Sequence, residues 1–173
     1  MLTPASGKRQ PVDAGVLGLH QLGMTYAVHL ATASDISSWL EIVREVEPQF
    51  GPMPMFDLTI RNKIAHGDSL CVRDGSGNVI GGLLLGGAPP DLWIRWLAVR
   101  RSARGQGAGA ALVGAALELC AAPCTISLST FGVDNVEGRA ARRLYARFGF
   151  AAREMLPRGP EGGTRQLFTL VRS

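Results

Sequence analysis

The chain has 173 residues, of which 46% are apolar and 18% are charged, and its formal net charge is +4. This length holds one domain with a core but is short for two, and the composition is typical of a folded α/β protein rather than a disordered chain. The sequence has neither a lysine run nor aromatic residues interleaved with basic ones, and no apolar run of membrane-spanning length, so we expect a soluble protein without a nucleic-acid or membrane partner.

The beginning of the chain differs in composition from the rest. Residues 1–23 are rich in Gly, Pro and Ser without a period, so we predict a flexible arm there and one domain at 24–173. The domain opens with a predicted strand at 26–31 and a helix that Asp35 caps and Pro48 ends. The predicted buried face of this helix carries Ile36, Trp39, Leu40, Val43 and Val46.

The segment 48–55 follows this helix and is unusual for an exposed loop, because its prolines alternate with large apolar side chains. Two interpretations remain open. The segment lines a pocket, or its residues Phe50 and Met53 only pack on the core.

The remaining elements alternate between strands and helices. The sequence predicts a helix at 57–67, hairpin strands at 70–73 and 79–85, a strand at 92–99, a helix that ends near Cys120, a strand at 125–130, a helix that Gly149 ends, and strands at 150–154 and 164–171. The fold class is therefore α/β, with a mixed and mostly antiparallel sheet of about seven strands flanked by about four helices. The helical crossover between the fourth and fifth strands makes that pair parallel.

The cysteines are Cys71, Cys120 and Cys124, and all three lie in segments that resemble core. Their odd number indicates reduced thiols and a cytoplasmic protein. The spacing of Cys120 and Cys124 would suit the start of a metal site, but no His or further Cys is near them, so we expect buried thiols and no metal.

The most informative stretch joins the fourth strand to the following helix. Gly105, Gly107 and Gly109 stand where the strand turns into the helix, and Arg100, Arg101 and Arg104 precede them or lie beside them. The first amides of a helix lack intrahelical partners, and glycines leave room for a ligand to approach them. This stretch predicts an anion site.

Two sequence motifs narrow this interpretation. Arg104-Gly105-Gln106-Gly107-Ala108-Gly109, after the strand end Leu97-Ala98-Val99, forms the first motif. Asn135, Ala140-Ala141 and Leu144-Tyr145-Ala146-Arg147-Phe148-Gly149-Phe150 form the second. Together they resemble the GNAT superfamily of acyl-CoA-dependent N-acyltransferases, and the resemblance covers about residues 24–171.

The resemblance implies a set of roles around acetyl-CoA, the acyl donor. The residues that would bind its pyrophosphate are Arg104, Gly105, Gln106, Gly107, Ala108, Gly109 and Ala110. The backbone of Val99 would pair with the pantetheine arm in the gap between a splayed fourth and fifth strand, and the N–H of Leu97 would face the thioester carbonyl. Asn135 would contact the cofactor, and Tyr145 would lie near its sulfur as the general acid.

Some of these residues could instead have purely structural roles. Tyr145 lies on an apolar helical stripe, where a core tyrosine is an ordinary finding, and Asn135 is a suitable helix cap. At least one of the three arginines is expected to be a solvated surface charge.

The resemblance also implies a primary amine as acceptor, which must lose a proton before it attacks. The fourth strand carries an acid only at its start, Asp91, and the other candidates, Glu45 and Glu47, lie near the proline-rich segment, so the base stays unassigned. Trp93 and Trp96 are expected to face opposite sides of the strand, so that one of them lines the acceptor pocket.

The sequence therefore predicts an N-acetyltransferase that moves an acetyl or other short acyl group from acetyl-CoA to a primary amine in a ternary complex. The cysteines are badly placed for an acyl-cysteine route. The apolar loop and the tryptophans favour a small, partly apolar acceptor. The alternatives are a protein N-terminal or lysine acetyltransferase and a non-catalytic acyl-CoA-binding module. An exposed C-terminal edge strand is compatible with a homodimer.

Overall fold

A computed structural model describes residues 26–173. The predicted arm at 1–23 lies outside the described residues. The elements are β1 (Val28–Leu30), α1 (Ile36–Phe50), α2 (Phe56–Ala65), β2 (Ser69–Arg73), β3 (Val79–Ala88), β4 (Asp91–Val99), α3 (Ala108–Glu118), β5 (Cys124–Phe131), α4 (Arg139–Arg147), β6 (Ala151–Leu156) and β7 (Arg165–Arg172). Their order confirms the predicted fold class.

The strands form one sheet in the order β1-β2-β3-β4-β5-β7-β6. Every neighbouring pair is antiparallel except β4 and β5, which are parallel as predicted. Helix α3 and Tyr145 of α4 pack on one face of the sheet, and α1 and α2 cover the other. The edge strand near the C-terminus is β6, because the last strand, β7, lies between β5 and β6.

The strand β4 carries a bulge at Arg95. Trp96 pairs with Leu84 of β3, whereas Ile94 pairs with the next residue, Leu85. The extra residue reverses the alternation of side chains, so Ile94 belongs to the core under α3 and Trp96 belongs to the core under α1. Trp93, which alternates with Ile94, therefore faces the same side as Trp96. The prediction that the two tryptophans face opposite sides is wrong because it assumed an unbroken strand.

Strands β4 and β5 are splayed. Their pairing runs from Asp91 and Thr125 to Ile94 and Leu128 and then stops, although β4 continues to Val99 and β5 to Phe131. Pairing thus ends at the residue before the bulge, where the strand bends. The ends of the two strands enclose a gap, as predicted.

Helix α1 is longer than predicted. It continues through Pro48 and ends at Phe50, where the N–H of Gly51 donates to the carbonyl of Glu47 at 2.8 Å. A proline destabilises a helix most when it lies in the interior, and here it lies in the last turn. The prediction that Pro48 ends the helix is wrong, and the additional turn carries Phe50 to the gap between β4 and β5.

The cysteines differ from the prediction. Cys120, just after α3, and Cys124, the first residue of β5, form a disulfide with a Cα–Cα distance of 6.0 Å. The prediction of reduced thiols is therefore wrong for this pair, because the short turn between them brings two buried cysteines together. Cys71 is free and buried. Within residues 26–173 no group of His, Cys, Asp or Glu side chains is placed to hold a metal ion, and no helix is both long and apolar enough to cross a bilayer.

A buried ion pair ties α1 to the sheet. Asp35 is 4% exposed, and the guanidinium of Arg73 in β2 donates to its two carboxylate oxygens at 2.9 and 2.7 Å. The carboxylate also accepts the N–H of Thr32 at 2.7 Å, so it turns back from α1 instead of capping it. Burial acts to raise the pKa of Asp35, but the bonds from Arg73 and Thr32 outweigh burial and lower it.

We expect Asp35→Asn to lower the free energy of unfolding at neutral pH by about 2 kcal/mol, the order of a hydrogen bond between charged groups, because it leaves the partly exposed Arg73 without its counter-charge. A carboxylate with a lowered pKa stabilises the fold above its unfolded pKa and loses that contribution as the pH falls through its folded pKa. The difference between wild type and variant should therefore shrink in acid. Urea unfolding from about pH 7 to about pH 3 measures it. Asp57→Asn, in an exposed pair with Arg61, is the control and should change little.

Candidate active site

A cleft of about 330 Å³ opens where β4 and β5 diverge. Its walls come from the end of α1, the end of β4, the segment from Ala103 to Ala110, the end of β5 and one face of α4. Six of the predicted pyrophosphate-binding residues line it: Arg104, Gly105, Gly107, Ala108, Gly109 and Ala110. The structure thus brings the glycine segment and the strand gap into one site.

The glycine segment has the backbone of an anion cradle. Gly105 and Gly107 have φ angles of +74° and +96°, which favour glycine, and a Cβ at either position would meet nothing within 4 Å. The first bond of α3 runs from the N–H of Ala111 to the carbonyl of Gly107 at 2.9 Å. The amides of 108–110 therefore have no intrahelical acceptor and are free for a ligand.

The flanking side chains fix this segment. Nε of Arg104 donates to the carbonyl of Val99 at 3.0 Å, and Nε2 of Gln106 donates to the carbonyl of Ser102 at 3.0 Å. The Gln106 side chain does not line the cleft, so its predicted contribution rests on its backbone amide. Arg100 pairs with Glu41 of α1 at 2.7 Å and is therefore engaged away from the cleft.

The exposed edge of β4 forms the second part of the site. The N–H of Arg100 donates to the carbonyl of Ile80 in β3 at 2.8 Å. Because bonding groups alternate along an antiparallel pair, the N–H and C=O groups of Leu97 and Val99 point away from β3 and into the gap. Both residues line the cleft. The backbone groups of Leu97 and Val99 thus point in the direction that their predicted roles require.

Aromatic side chains close the far end of the cleft. Phe50 lies between Trp96 of β4 and Phe131 of β5, with ring centroids 6.2 and 5.6 Å apart, and so spans the gap. Trp96 also contacts Phe56 at 5.3 Å. Phe50 both lines the cleft and packs on the core. For this residue, therefore, both interpretations of the 48–55 segment hold.

The turn between β6 and β7 lies beside the aromatic end of the cleft. A Cβ on Gly51 would lie 2.8 Å from the backbone nitrogen of Glu161, so α1 and this turn are in close contact. Glu161 binds Arg165 through both oxygens at 2.6 and 2.7 Å, and the Arg165 guanidinium lies 4.4 Å from the Phe131 ring centre. The carboxylate of Glu161 is thus neutralised.

Tyr145 lies in the core rather than on the cleft wall. It is 6% exposed and contacts Phe150 and Phe168, with ring centroids at 5.8 and 6.4 Å. Burial strongly raises the pKa of its hydroxyl, so the phenol keeps its proton. Its helix neighbours Ala141 and Leu144 line the cleft, but Tyr145 is not among the lining residues. Its role as general acid stays a prediction.

Asn135 lies in the segment before α4. Its Oδ1 accepts the N–H of Gly138 at 3.0 Å, and the residue does not line the cleft. The side chain therefore closes the turn before α4 and does not cap the helix, whose N-cap residue is Gly138. The predicted contact of Asn135 with the cofactor stays a prediction.

None of the carboxylates proposed from the sequence lines the cleft. Asp91 lies at the paired end of β4 and β5, Glu45 accepts the N–H of Arg101, and Glu47 is exposed. Glu137, between β5 and α4, does line it. Sequence reasoning missed this residue because it belongs to no motif, and only its position just before a helix of the site could have indicated it.

The splayed parallel pair, the amide cradle at the start of α3 and the open edge of β4 define an acyl-CoA-dependent acyltransferase. The sequence profile of the acetyltransferase (GNAT) family matches residues 36–150, and the chain belongs to this family. It is thus an acyltransferase that uses acetyl-CoA. No curated protein matches the sequence.

Several solved structures share the fold. Ard1 from Thermoplasma volcanium matches with a TM-score of 0.70 and 21% identity, over 84% of this chain and 97% of that chain. NAA60 from Arabidopsis thaliana, solved with acetyl-CoA, has a TM-score of 0.67 and 17% identity over 85% and 98%. A phosphinothricin acetyltransferase from Sinorhizobium meliloti, solved with AcCoA, has a TM-score of 0.67 and 19% identity over 86% and 89%. At these identities the likeness shows the fold alone.

We expect Gly107→Val to raise the KM for acetyl-CoA at least about tenfold, because a β-branched residue resists the φ of +96° and the loss of amide contacts to an anion costs about 1.5 kcal/mol or more. The KM for the amine should change much less. Steady-state kinetics with each substrate varied in turn measures both values. Gly75→Val, in an open hairpin turn, is the control, and equal effects of Gly107→Val on both KM values would contradict the assignment.

Proposed function

We propose that the protein transfers an acetyl or other short acyl group from acetyl-CoA to the primary amine of a small, partly apolar molecule. One observation carries the proposal. The rings of Phe50 and Phe131 line the same cleft whose other end holds the glycine cradle, and Phe50 is supported by Trp96, which does not line the cleft itself. An amine that reaches the edge of β4 from this side must pass apolar rings.

The residues present fit the acyl donor. The amides of Gly107 to Ala110 and the guanidinium of Arg104 suit the pyrophosphate, since they offer donors and positive charge at a helix N-terminus. The outward N–H and C=O groups of Val99 suit the amides of the pantetheine arm, although the Val99 carbonyl already accepts a bond from Arg104. Acetyl-CoA supplies the activated acyl group.

Leu97 and Tyr145 have the proposed chemical roles. The N–H of Leu97 points into the gap just beyond the bulge, where it would stabilise negative charge on the thioester oxygen as the amine attacks. Tyr145 would return a proton to the departing thiolate. Its buried phenol is protonated at neutral pH, although burial raises its pKa and so makes it a weaker acid than a solvated tyrosine.

Direct transfer is favoured over an acyl-cysteine route. Burial raises the pKa of the Cys71 thiol to about 12, so it is not a thiolate at neutral pH. Cys120 and Cys124 are joined in the disulfide and lie beyond the far end of α3 from the cradle. The amine and acetyl-CoA would therefore react in a ternary complex.

A protein amine is the second candidate acceptor, because the fold is shared with Naa50 from Arabidopsis thaliana, solved with the bisubstrate analogue CoA-Ac-MVNAL, and with the NatC complex, solved with Gag peptide and CoA. A non-catalytic acyl-CoA-binding module is the remaining alternative, and turnover excludes it. Cytoplasmic location and a homodimer stay predictions; the outer edge of β6 offers the surface for such a dimer.

We expect acetylation of 2-phenylethylamine with a kcat/KM at least about tenfold above that of ethanolamine, because burial of a phenyl ring contributes about 2 kcal/mol. The measurement is CoA release with each amine and with a short peptide bearing a free N-terminus. A preference for the peptide would support the protein acceptor instead. Tight binding of CoA without turnover of any amine would support the binding module.

We expect Tyr145→Phe to lower kcat about 100-fold with little change in either KM, because a general acid acts in the chemical step. Steady-state kinetics and thermal unfolding of both proteins measure the effect. If Tyr145 is only a core residue, the variant keeps its kcat, since Phe fills nearly the same volume.

A further inference from the structure

The connection between β5 and α4 is held in a defined shape. The N–H of Gly132 donates to the carbonyl of Thr164 at 2.8 Å, and the N–H of Asn135 donates to the carbonyl of Gly132 at 3.2 Å. The hydroxyl of Thr164 also bonds to the carboxylate of Asp134. Together with the bond from the N–H of Gly138 to Oδ1 of Asn135, these bonds fix the backbone on both sides of Glu137.

Glu137 lies near the aromatic end of the cleft. Its neighbour Gly138 packs so tightly on Phe131 that an added Cβ would overlap the Cβ of that side chain. Phe131 in turn contacts Phe50, which closes the gap. Glu137 is therefore the residue next to the contact between Gly138 and Phe131, at the aromatic end of the cleft where we place the acceptor. It also lines the cleft itself.

The carboxylate of Glu137 is available. Within residues 26–173 it is the only carboxylate that lines the cleft, and none of the hydrogen bonds or ion pairs among these residues involves it. Asp134 is bonded to Thr164 and Glu161 to Arg165, so the nearby acids are occupied.

We propose that Glu137 is the base that receives the proton of the acceptor amine. This inference rests on the proposed function, since it requires an amine in the aromatic end of the cleft. An acceptor with an ammonium group would first lose one proton to the Glu137 carboxylate and from there to water, which leaves the nitrogen lone pair free to attack.

The remaining step balances with this base. The nitrogen lone pair forms the C–N bond, and the C–S bond breaks with its electron pair on sulfur. The nitrogen loses its second proton to the carboxylate of Glu137, and the thiolate takes up a proton from Tyr145 or water. The net products are the amide, CoA as its thiol and one proton released to solvent.

The test compares wild type with Glu137→Gln and Glu137→Ala, using 2-phenylethylamine and acetyl-CoA. We expect both variants to lower kcat about 100-fold with the KM for acetyl-CoA and the thermal unfolding midpoint unchanged, because the side chain is exposed. Formate should restore part of the kcat of Glu137→Ala, since a small carboxylate can enter the space left. Glu154→Gln, on the exposed edge strand β6, is the matched control and should behave as wild type.

A second assay keeps this inference separate from the choice of acceptor. Slow hydrolysis of acetyl-CoA without any amine also requires a base, here for water, and should fall in both Glu137 variants. If wild type fails to acetylate the amine while the variants lose hydrolysis, the proposed acceptor fails and the role of Glu137 stands. Unchanged turnover and hydrolysis in the variants overturn the role of Glu137. A raised KM for the amine with unchanged kcat, which formate does not affect, also overturns it, because Glu137 would then only bind the ammonium.

Discussion

Because Arg95 is inserted as a bulge in β4, the strand bends where its pairing with β5 ends, and the rest of the site depends on this bend. The bulge frees the outer edge of β4 from Leu97 to Val99. Backbone groups that would normally form hydrogen bonds with a neighbouring strand therefore face a cleft. It also moves Trp96 to the side of α1 and α2. One extra residue therefore exposes the backbone edge that faces the donor and brings Trp96 into contact with Phe50.

The two ends of the cleft favour different chemical groups in a ligand. At the start of α3, unpaired amides and positive φ angles at Gly105 and Gly107 create a site for negative charge, with open space where side chains at these two positions would be. At the other end, the rings of Phe50 and Phe131 offer apolar surface, the Glu161 carboxylate is paired with Arg165, and the carboxylate of Glu137 is unpaired. A ligand that is anionic at one end and apolar at the acceptor end matches this division.

Much of this arrangement could be predicted from local patterns. Residue preferences that act over a few positions determine the hairpin of β2 and β3 with its turn at residues 74–78, the order of strands and helices, and the glycine turn. Arg104, Leu97 and Val99 could be assigned by motif, and they line one cleft. Glu137 could not, because its importance comes from the contact of Gly138 with Phe131, which no spacing along the chain encodes.

The sequence by itself determined the fold class and the position of the anion cradle, since helix starts, glycine turns and strand alternation are local effects. Only the tertiary structure decided which face Trp93 takes, how far α1 continues past Pro48, and that Cys120 and Cys124 are bonded. Each of these depends on register or on distance in space, and a one-residue shift in pairing reverses a side chain without leaving a mark in the sequence.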